Sequence, residues 1–302
     1  MAEIANPSIA TQVLALLRFG SVTPRVFDVL LQHFGSPAGI LGASVTALRQ
    51  HSGVSAAAAG RIAATAKRLD EAERYEDGLK HRGITVLTRF DDNYNYLLFE
   101  LNDPPPLLYV RGTLPSAQDK SVTLVGCSLK ASADGIALTT RLAQQFAQAN
   151  VQIVSSLDGG NDAGAHLGAK RAGGKSFALL KTGFDDLDPQ TQVPLAIDVA
   201  QTGGVISEFA PDIVRPLAAT EVLDRLLVGI SQATVITEFY QDSRREHDLL
   251  EFCNQIGKMA FVVVDESVGP LADKESLIHA AQCGAILLHG SQQVSTIARS
   301  LV

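Results

Sequence analysis

Between Ser121 and Gly174 the chain reads SVTLVGCSLKASADGIALTTRLAQQFAQANVQIVSSLDGGNDAGAHLGAKRAGG. Ser121–Val125 is a short β-rich run that stops at Gly126. From Ile136 to Ala149 apolar residues fall at helical spacing, with Ile136, Leu138, Leu142 and Phe146 on one side. Val151–Val154 is a second short apolar strand. The polar, glycine-bearing SSLDGGND follows it before helical spacing restarts at Ala163. Two apolar strands joined by one helix make a parallel βαβ unit with a right-handed crossover. Loops at the carboxyl ends of such strands, backed by helix N-termini, are where α/β sheets hold anions and nucleotides. Here those loops are Gly126–Gly135 and Ser155–Asp162.

The same alternation continues downstream. Strands are expected at Ser176–Leu180, Gly204–Ser207, Ala233–Thr237, Met259–Val264 and Ala285–Leu288. Helices are expected at Val193–Thr202, Leu217–Ser231, Glu246–Ile256, Lys274–Gln282 and Gln292–Leu301. Continuous apolar strands alternating with helices predict an α/β, Rossmann-like doubly wound, mostly parallel sheet.

Upstream, residues 8–75 read as helical, and a small all-helical N-terminal domain is expected over 1–75. FGSVTP and HSGVSA each put a glycine turn between helices, followed by a Ser or Thr suited to capping the next. Such hairpins either offer backbone N–H groups to nucleic-acid phosphates or only pack and space a bundle. Residues 76–119 form a connection, where Pro104–Pro106 force an extended path into a strand at Leu107–Val110. The sheet domain then occupies 120–302.

Composition narrows the function classes. With 46% hydrophobic and 19% charged residues over 302 positions, the chain has the make-up of an ordered globular protein. No apolar run approaches the ~18 residues that span a bilayer, and no signal-peptide pattern opens the chain. Three widely spaced cysteines (Cys127, Cys253, Cys283) suit a reducing cytoplasm and offer no paired metal or redox motif. Residues 1–120 carry 12 Lys/Arg and 12 Asp/Glu, so the net charge of −7 sits entirely in residues 121–302. A phosphate-rich partner must be held there by a local basic patch against an unfavourable field.

GAKRAGGKS at Gly168–Ser176 looks at first like a P-loop, but an extra glycine precedes Lys175 and the segment runs from helix into strand, the reverse of what a P-loop needs. Asp162 and His166 lie four apart on a helix, which points to a shared face; Asp162 also suits a helix cap. Neither a Ser-His-Asp order nor a G-x-S-x-G elbow is present, so no catalysis, cofactor or metal is expected.

Taken together, the helical N-terminus with FGSP, the linker DPPPLLYVRG, the strand-turn VTLVG, the loop SSLDGGNDAGAH, GGVISE, DRLLVGIS before ATVITE, and the late SLIHAAQCGA resemble the DNA-processing protein A (DprA/Smf) family. The resemblance implies an N-terminal domain of the SAM or helix-hairpin-helix kind and a non-enzymatic cytoplasmic homodimer. It further implies binding of single-stranded DNA and its delivery to a RecA-type recombinase in transformation. Several positions depart from the family's pattern. The arginine after Val-Gly-Ser is missing at Cys127-Ser128. Ser156, Asp158, Gly159 and Asn161 replace loop residues, while Ser155, Leu157, Gly160, Asp162 and His166 match. Leu223-Asp224 stand for Arg-Asn, with Arg225 kept.

The candidate DNA or phosphate contacts are Gly126, Cys127, Ser128, Ser155, Gly159, Gly160, Asp162 and His166 on the two loops. Lys181, Arg225, Arg244 and Arg245 join them as rim cations. Glu208 and Glu238, read as ending neighbouring strands, either meet ribose hydroxyls and base edges or cap turns. The expected outcome is a weakened DNA site. The alternative is a diverged nucleotide-sensing or protein-interaction module that binds no DNA.

Overall fold

The structure, a computed structural model, describes residues 7–51, 53–127, 130–214, 216–217, 219–264, 271–289 and 294–301. Ser128 therefore lies outside the described residues. Residues 1–94 with 102–110 form one compact unit, and 95–101 with 111–302 form another.

In the first unit the apolar spacing gives helices α1 (Ile9–Arg18), α2 (Pro24–Phe34), α3 (Pro37–Gly42), α4 (Val45–Leu48), α5 (Ala56–Thr65) and α6 (Leu69–His81). The boundaries are written in hydroxyls. Ser8, Thr23, Ser36, Ser44 and Ser55 each accept from the backbone N–H three residues on, at the starts of α1 to α5. Pro24 and Pro37 occupy the first helical positions, where no N–H is missed. Leu14, Phe27, Leu30, Ile40, Leu48, Ile62 and Leu79 fill the core between these helices. Strands β1 (Thr85–Thr88) and β2 (Leu107–Gly112) pair antiparallel, Thr85 opposite Val110.

The second unit is α/β. Its strands are β3 (Ser121–Val125), β4 (Gln152–Ser156), β5 (Ser176–Leu180), β6 (Gly204–Ser207), β7 (Ala233–Ile236), β8 (Met259–Val264) and β9 (Ile286–His289). They alternate with α7 (Ala133–Gln148), α8 (Gly160–Arg171), α9 (Gln192–Thr202), α10 (Ala219–Gly229), α11 (Arg244–Ile256), α12 (Lys274–Gln282) and α13 (Val294–Ser300). The strand order is β6-β5-β4-β3-β7-β8-β9, every pair parallel. From β3 the chain winds outward one way to β6, then crosses back and winds the other way from β7. The winding direction therefore switches between β3 and β7, and the crevice at their carboxyl ends is where doubly wound sheets take ligands.

Leu138, Leu142 and Phe146 of α7 pack on Val122, Leu124, Ile153 and Val235 beneath that crevice. Each such fully buried side chain contributes roughly 1.5–3 kcal/mol. Among the described residues no helix is long and apolar enough to cross a membrane.

Candidate functional site

The switch-point crevice starts from the glycine that ends β3. A Cβ on Gly126 would lie 2.0 Å from Asn161 Nδ2 and 2.8 Å from Thr237 Oγ1, so only glycine fits. Glu238, just past β7, sits beside it and is buried. Its carboxylate accepts from the Ser132 backbone N–H at 3.1 and 3.2 Å, from Asn161 Nδ2 at 2.9 Å and from the Tyr240 hydroxyl at 3.0 Å. Ser132 is the N-cap of α7. The free N–H groups and positive end of that helix, the natural seat for a phosphate, are thus occupied by a carboxylate of the same chain. Gly135 completes the fit, since a Cβ there would stand 2.2 Å from Glu238 Oε2. Burial, then the bond to Glu238, pushes the Tyr240 hydroxyl up to about 12.

The second loop turns through Gly159 and Gly160, both at positive φ (91° and 52°), and opens α8. Small residues then let α8 lie against α7: a Cβ on Gly168 would meet the Thr140 carbonyl at 2.2 Å and Ala143 Cβ at 2.7 Å. Asp162 does not cap this helix, because Gly159 holds the cap position and Asp162 lies within the first turn. Nor does Asp162 bond His166. Fully buried, Asp162 accepts from Ser156 Oγ at 2.5 Å and faces Arg245 Nη1 at 3.4 Å. His166 instead turns its Nε2 to the Ser156 carbonyl at 3.0 Å. Burial lowers the His166 pKa to about 4, so the ring is neutral at pH 7. The shared face expected from their spacing holds on α8, but the two side chains serve different partners.

Arg245 is the hub of a buried acidic cluster. Its Nε donates to Asp224 Oδ1 at 2.8 Å, and its Nη1 faces Asp162 and, at 4.0 Å, Asp158. Lys181 Nζ reaches the other oxygen of Asp158 at 2.8 Å. Burial raises Asp162, with Arg245 and the Ser156 hydroxyl pulling the other way. The same cause lifts Asp224 to about 6 and Glu246, the next residue on α11, to about 8. Burial works against the charge of Arg245, but the Asp162 and Asp224 carboxylates outweigh it and hold the guanidinium above its ordinary value.

The remaining rim cations are also matched with acids. Arg225 pairs with Glu208, both mostly buried, and Arg244 faces Asp248 at 3.8 Å from an exposed position. Glu208 and Glu238 do not end neighbouring strands: β5, β4 and β3 lie between β6 and β7. Chain order misled here, because the crossover after β6 returns past three strands. Ser155, fully buried, donates to the Leu124 carbonyl at 2.7 Å, while buried Cys127 lies 3.8 Å from Ser243 Oγ. Gly126, Gly159, Gly160, Asp162, His166, Glu238, Lys181 and Arg245 therefore share one neighbourhood, while Glu208 and Arg225 form a separate pair and Arg244 faces solvent.

Sequence reasoning passed over Asn161, Asp224, Glu246 and Ser132 as functional positions. Only the first two carried a signal, as departures from the expected loop and helix-start pattern. A cavity of about 160 Å³ beside the end of β5, edged by Asp158, Lys181 and Thr182, is small against the roughly 300–1,000 Å³ of small-molecule sites. Among the described residues no cluster of His, Cys, Asp or Glu has the arrangement of a metal site.

This architecture, a doubly wound parallel sheet with glycine turns at its switch point, defines a Rossmann-like protein. The profile of the DNA recombination-mediator protein A family matches residues 85–269, and the chain belongs to that family. Among solved structures, DprA from Streptococcus pneumoniae superposes with a TM-score of 0.74 at 20% identity, covering 95% of this chain and 97% of that one. DprA from Helicobacter pylori, described for its single-stranded DNA binding mode, gives 0.60 at 19% identity over 72% of this chain and 97% of its own. In sequence, the pneumococcal protein is 28% identical over 229 residues, 75% of this chain and 77% of that protein. Smf from Synechocystis is 30% identical over 156 residues, half of this chain; the match spans only 39% of that relative's length.

Proposed function

We propose that this protein binds single-stranded DNA and passes it to a RecA-type recombinase during DNA uptake and recombination, acting as a cytoplasmic homodimer without catalysing a reaction. Membership of the DNA recombination-mediator family is the observation that carries the reading. The neutral, tethered His166 and the arginine-bound Asp162 fit it, since neither is free for general acid–base work.

At the crevice itself, the contact with DNA is weak. Glu238 fills the α7 seat, and Lys181, Arg225, Arg244 and Arg245 each have a carboxylate partner. A phosphate displaces those carboxylates only at a cost, which leaves the rim a poor seat for the DNA backbone. Fluorescence polarisation of a labelled oligo(dT), titrated at low and at moderate salt, tests the reading. Saturable binding that weakens with salt is expected. Absence of binding at low salt would overturn it in favour of a protein-interaction module.

A further inference from the structure

The two glycine hairpins of the helical unit belong to none of the chemistry above, yet their surroundings differ sharply from the rim's. From Val29 to Leu69 the chain contains no aspartate or glutamate, but four Lys/Arg: Arg49, Arg61, Lys67 and Arg68. Arg25 lies just before this stretch, in the first turn of α2. Among the described residues Arg25, Arg49, Arg61 and Lys67 have no ion pair, and all four are exposed. Arg68 alone is engaged, paired with Glu71 at 2.8 Å and stacked 3.7 Å over the Phe19 ring.

Packing brings Arg25, Arg61, Lys67 and Arg68 to the first hairpin turn, Phe19–Thr23, while Arg49 stands just before the second, at Gly53. On one side, a Cβ on Gly20 would meet Thr65 Oγ1 at 3.3 Å, and Thr65 Oγ1 bonds back to the Arg61 carbonyl at 2.9 Å. The end of α5 with Arg61, and the single 3-10 turn after it with Lys67 and Arg68, therefore abut that turn. On the other side, the second turn sits on α2: a Cβ on Gly53 would touch Val26 at 3.4 Å, next to Arg25. His51, two residues after Arg49, has its ring 4.1 Å from that of His33, and Phe34 lies 5.4 Å from His51. The outward face of α5 between the cations is floored by Ala57, Gly60 and Ala64, leaving its backbone open to close approach. Unpaired cations lining small-residue backbone, beside the exposed His33 ring and the half-buried Phe34 and His51 rings, are what a flexible sugar-phosphate chain requires, with the rings as surfaces on which bases stack.

We infer that the helical unit carries a single-stranded-DNA contact surface formed by Arg25, Arg49, Arg61 and Lys67 around the two glycine hairpins. The inference rests on the proposed function and says where the phosphates lie. Each unpaired cation that meets a phosphate releases a counterion at no cost in broken ion pairs, whereas each rim cation must first give up a carboxylate.

The test compares three forms of the full chain on labelled oligo(dT) across a salt series: wild type, the triple variant Arg25→Ala/Arg61→Ala/Lys67→Ala, and the rim variant Lys181→Ala/Arg244→Ala. The triple variant is expected to bind about tenfold or more weaker at low salt. Its salt slope should be shallower by about 2, at about 0.7 per lost contact on single strands. The rim variant is expected within about twofold of wild type. All three altered side chains of the triple variant are exposed, and an unchanged thermal midpoint checks that it folds. Photo-crosslinking of wild type to oligo(dT) supplies a second reading, with crosslinked peptides expected within residues 19–68. Wild-type binding that the triple variant keeps and the rim variant loses, or crosslinks confined to residues 126–162, would overturn the inference while leaving DNA binding intact. Failure of the wild type itself to bind would overturn the proposed function as well.

Discussion

Asn161 Nδ2 donates to Glu238 Oε2 at 2.9 Å directly above the Gly126 Cα, joining the first turns of two helices to the end of a third strand. The pair makes Glu238 a structural counter-charge for α7. Replacing Glu238 by Ala strands the Ser132 N–H and Asn161 Nδ2 in a buried site and is expected to cost about 1–3 kcal/mol. Urea unfolding measures it; a loss under a few tenths of a kcal/mol would show that solvent or an ion already fills the seat.

Gly126→Ala places a methyl group 2.0 Å from the Asn161 amide. A destabilisation of about 1–3 kcal/mol is expected. Because the clash falls on a side chain, truncating Asn161 to Ala in the same chain should recover part of the loss. A double-mutant cycle that comes out additive would separate the two residues.

Arg245 is the shared partner of Asp162, Asp224 and Asp158. Arg245→Met leaves several buried carboxyl groups uncompensated, and a loss of about 3–5 kcal/mol is expected. Adding Asp162→Asn to that variant should restore stability, since the neutral amide has no charge left to balance. Arg225→Met, which strips a different carboxylate, should not be rescued in this way.

Two buried groups give the stability curve opposite slopes. Glu246 has its pKa raised from 4.5 to about 8, so its contribution is complete below pH 4.5 and disappears as pH climbs through about 8. The slope in that window is about −1.4 kcal/mol per pH unit, and Glu246→Gln should flatten it. His166 is lowered from 6.5 to about 4, so its contribution is present above pH 6.5 and fades as pH drops through about 4. Unfolding of wild type, Glu246→Gln and His166→Gln at one-unit steps from pH 4 to pH 9 separates the two, with Asp224, raised to about 6, adding to the negative slope below that pH. A curve for Glu246→Gln parallel to wild type would remove Glu246 from the account.

Local order was legible and long-range pairing was not. The run SVTLV followed by glycine marked β3 to the residue, because a continuous apolar strand and its stop are properties of adjacent positions. The start of α7 was placed late, at Ile136 instead of Ala133, because Ala133-Asp134-Gly135 has no apolar period; Ser132 as cap decides it. The partners of Glu238 lay beyond reach, with Ser132 more than a hundred residues earlier in the chain. Lys181, Arg225, Arg244 and Arg245 were expected to line one rim; Lys181 and Arg245 meet at Asp158, whereas Arg225 pairs with Glu208 and Arg244 with Asp248, and nothing in their spacing revealed that the meeting point would be acidic. The order of strands across the sheet was equally hidden, so Glu208 and Glu238 were drawn together although three strands part them.

Because Glu238 is covalently part of the chain, the α7 terminus sees its counter-ion at an effectively fixed local concentration. Dilution, dialysis or competing salt cannot strip it away. The helix terminus accordingly needs no ion from solution to be neutralised.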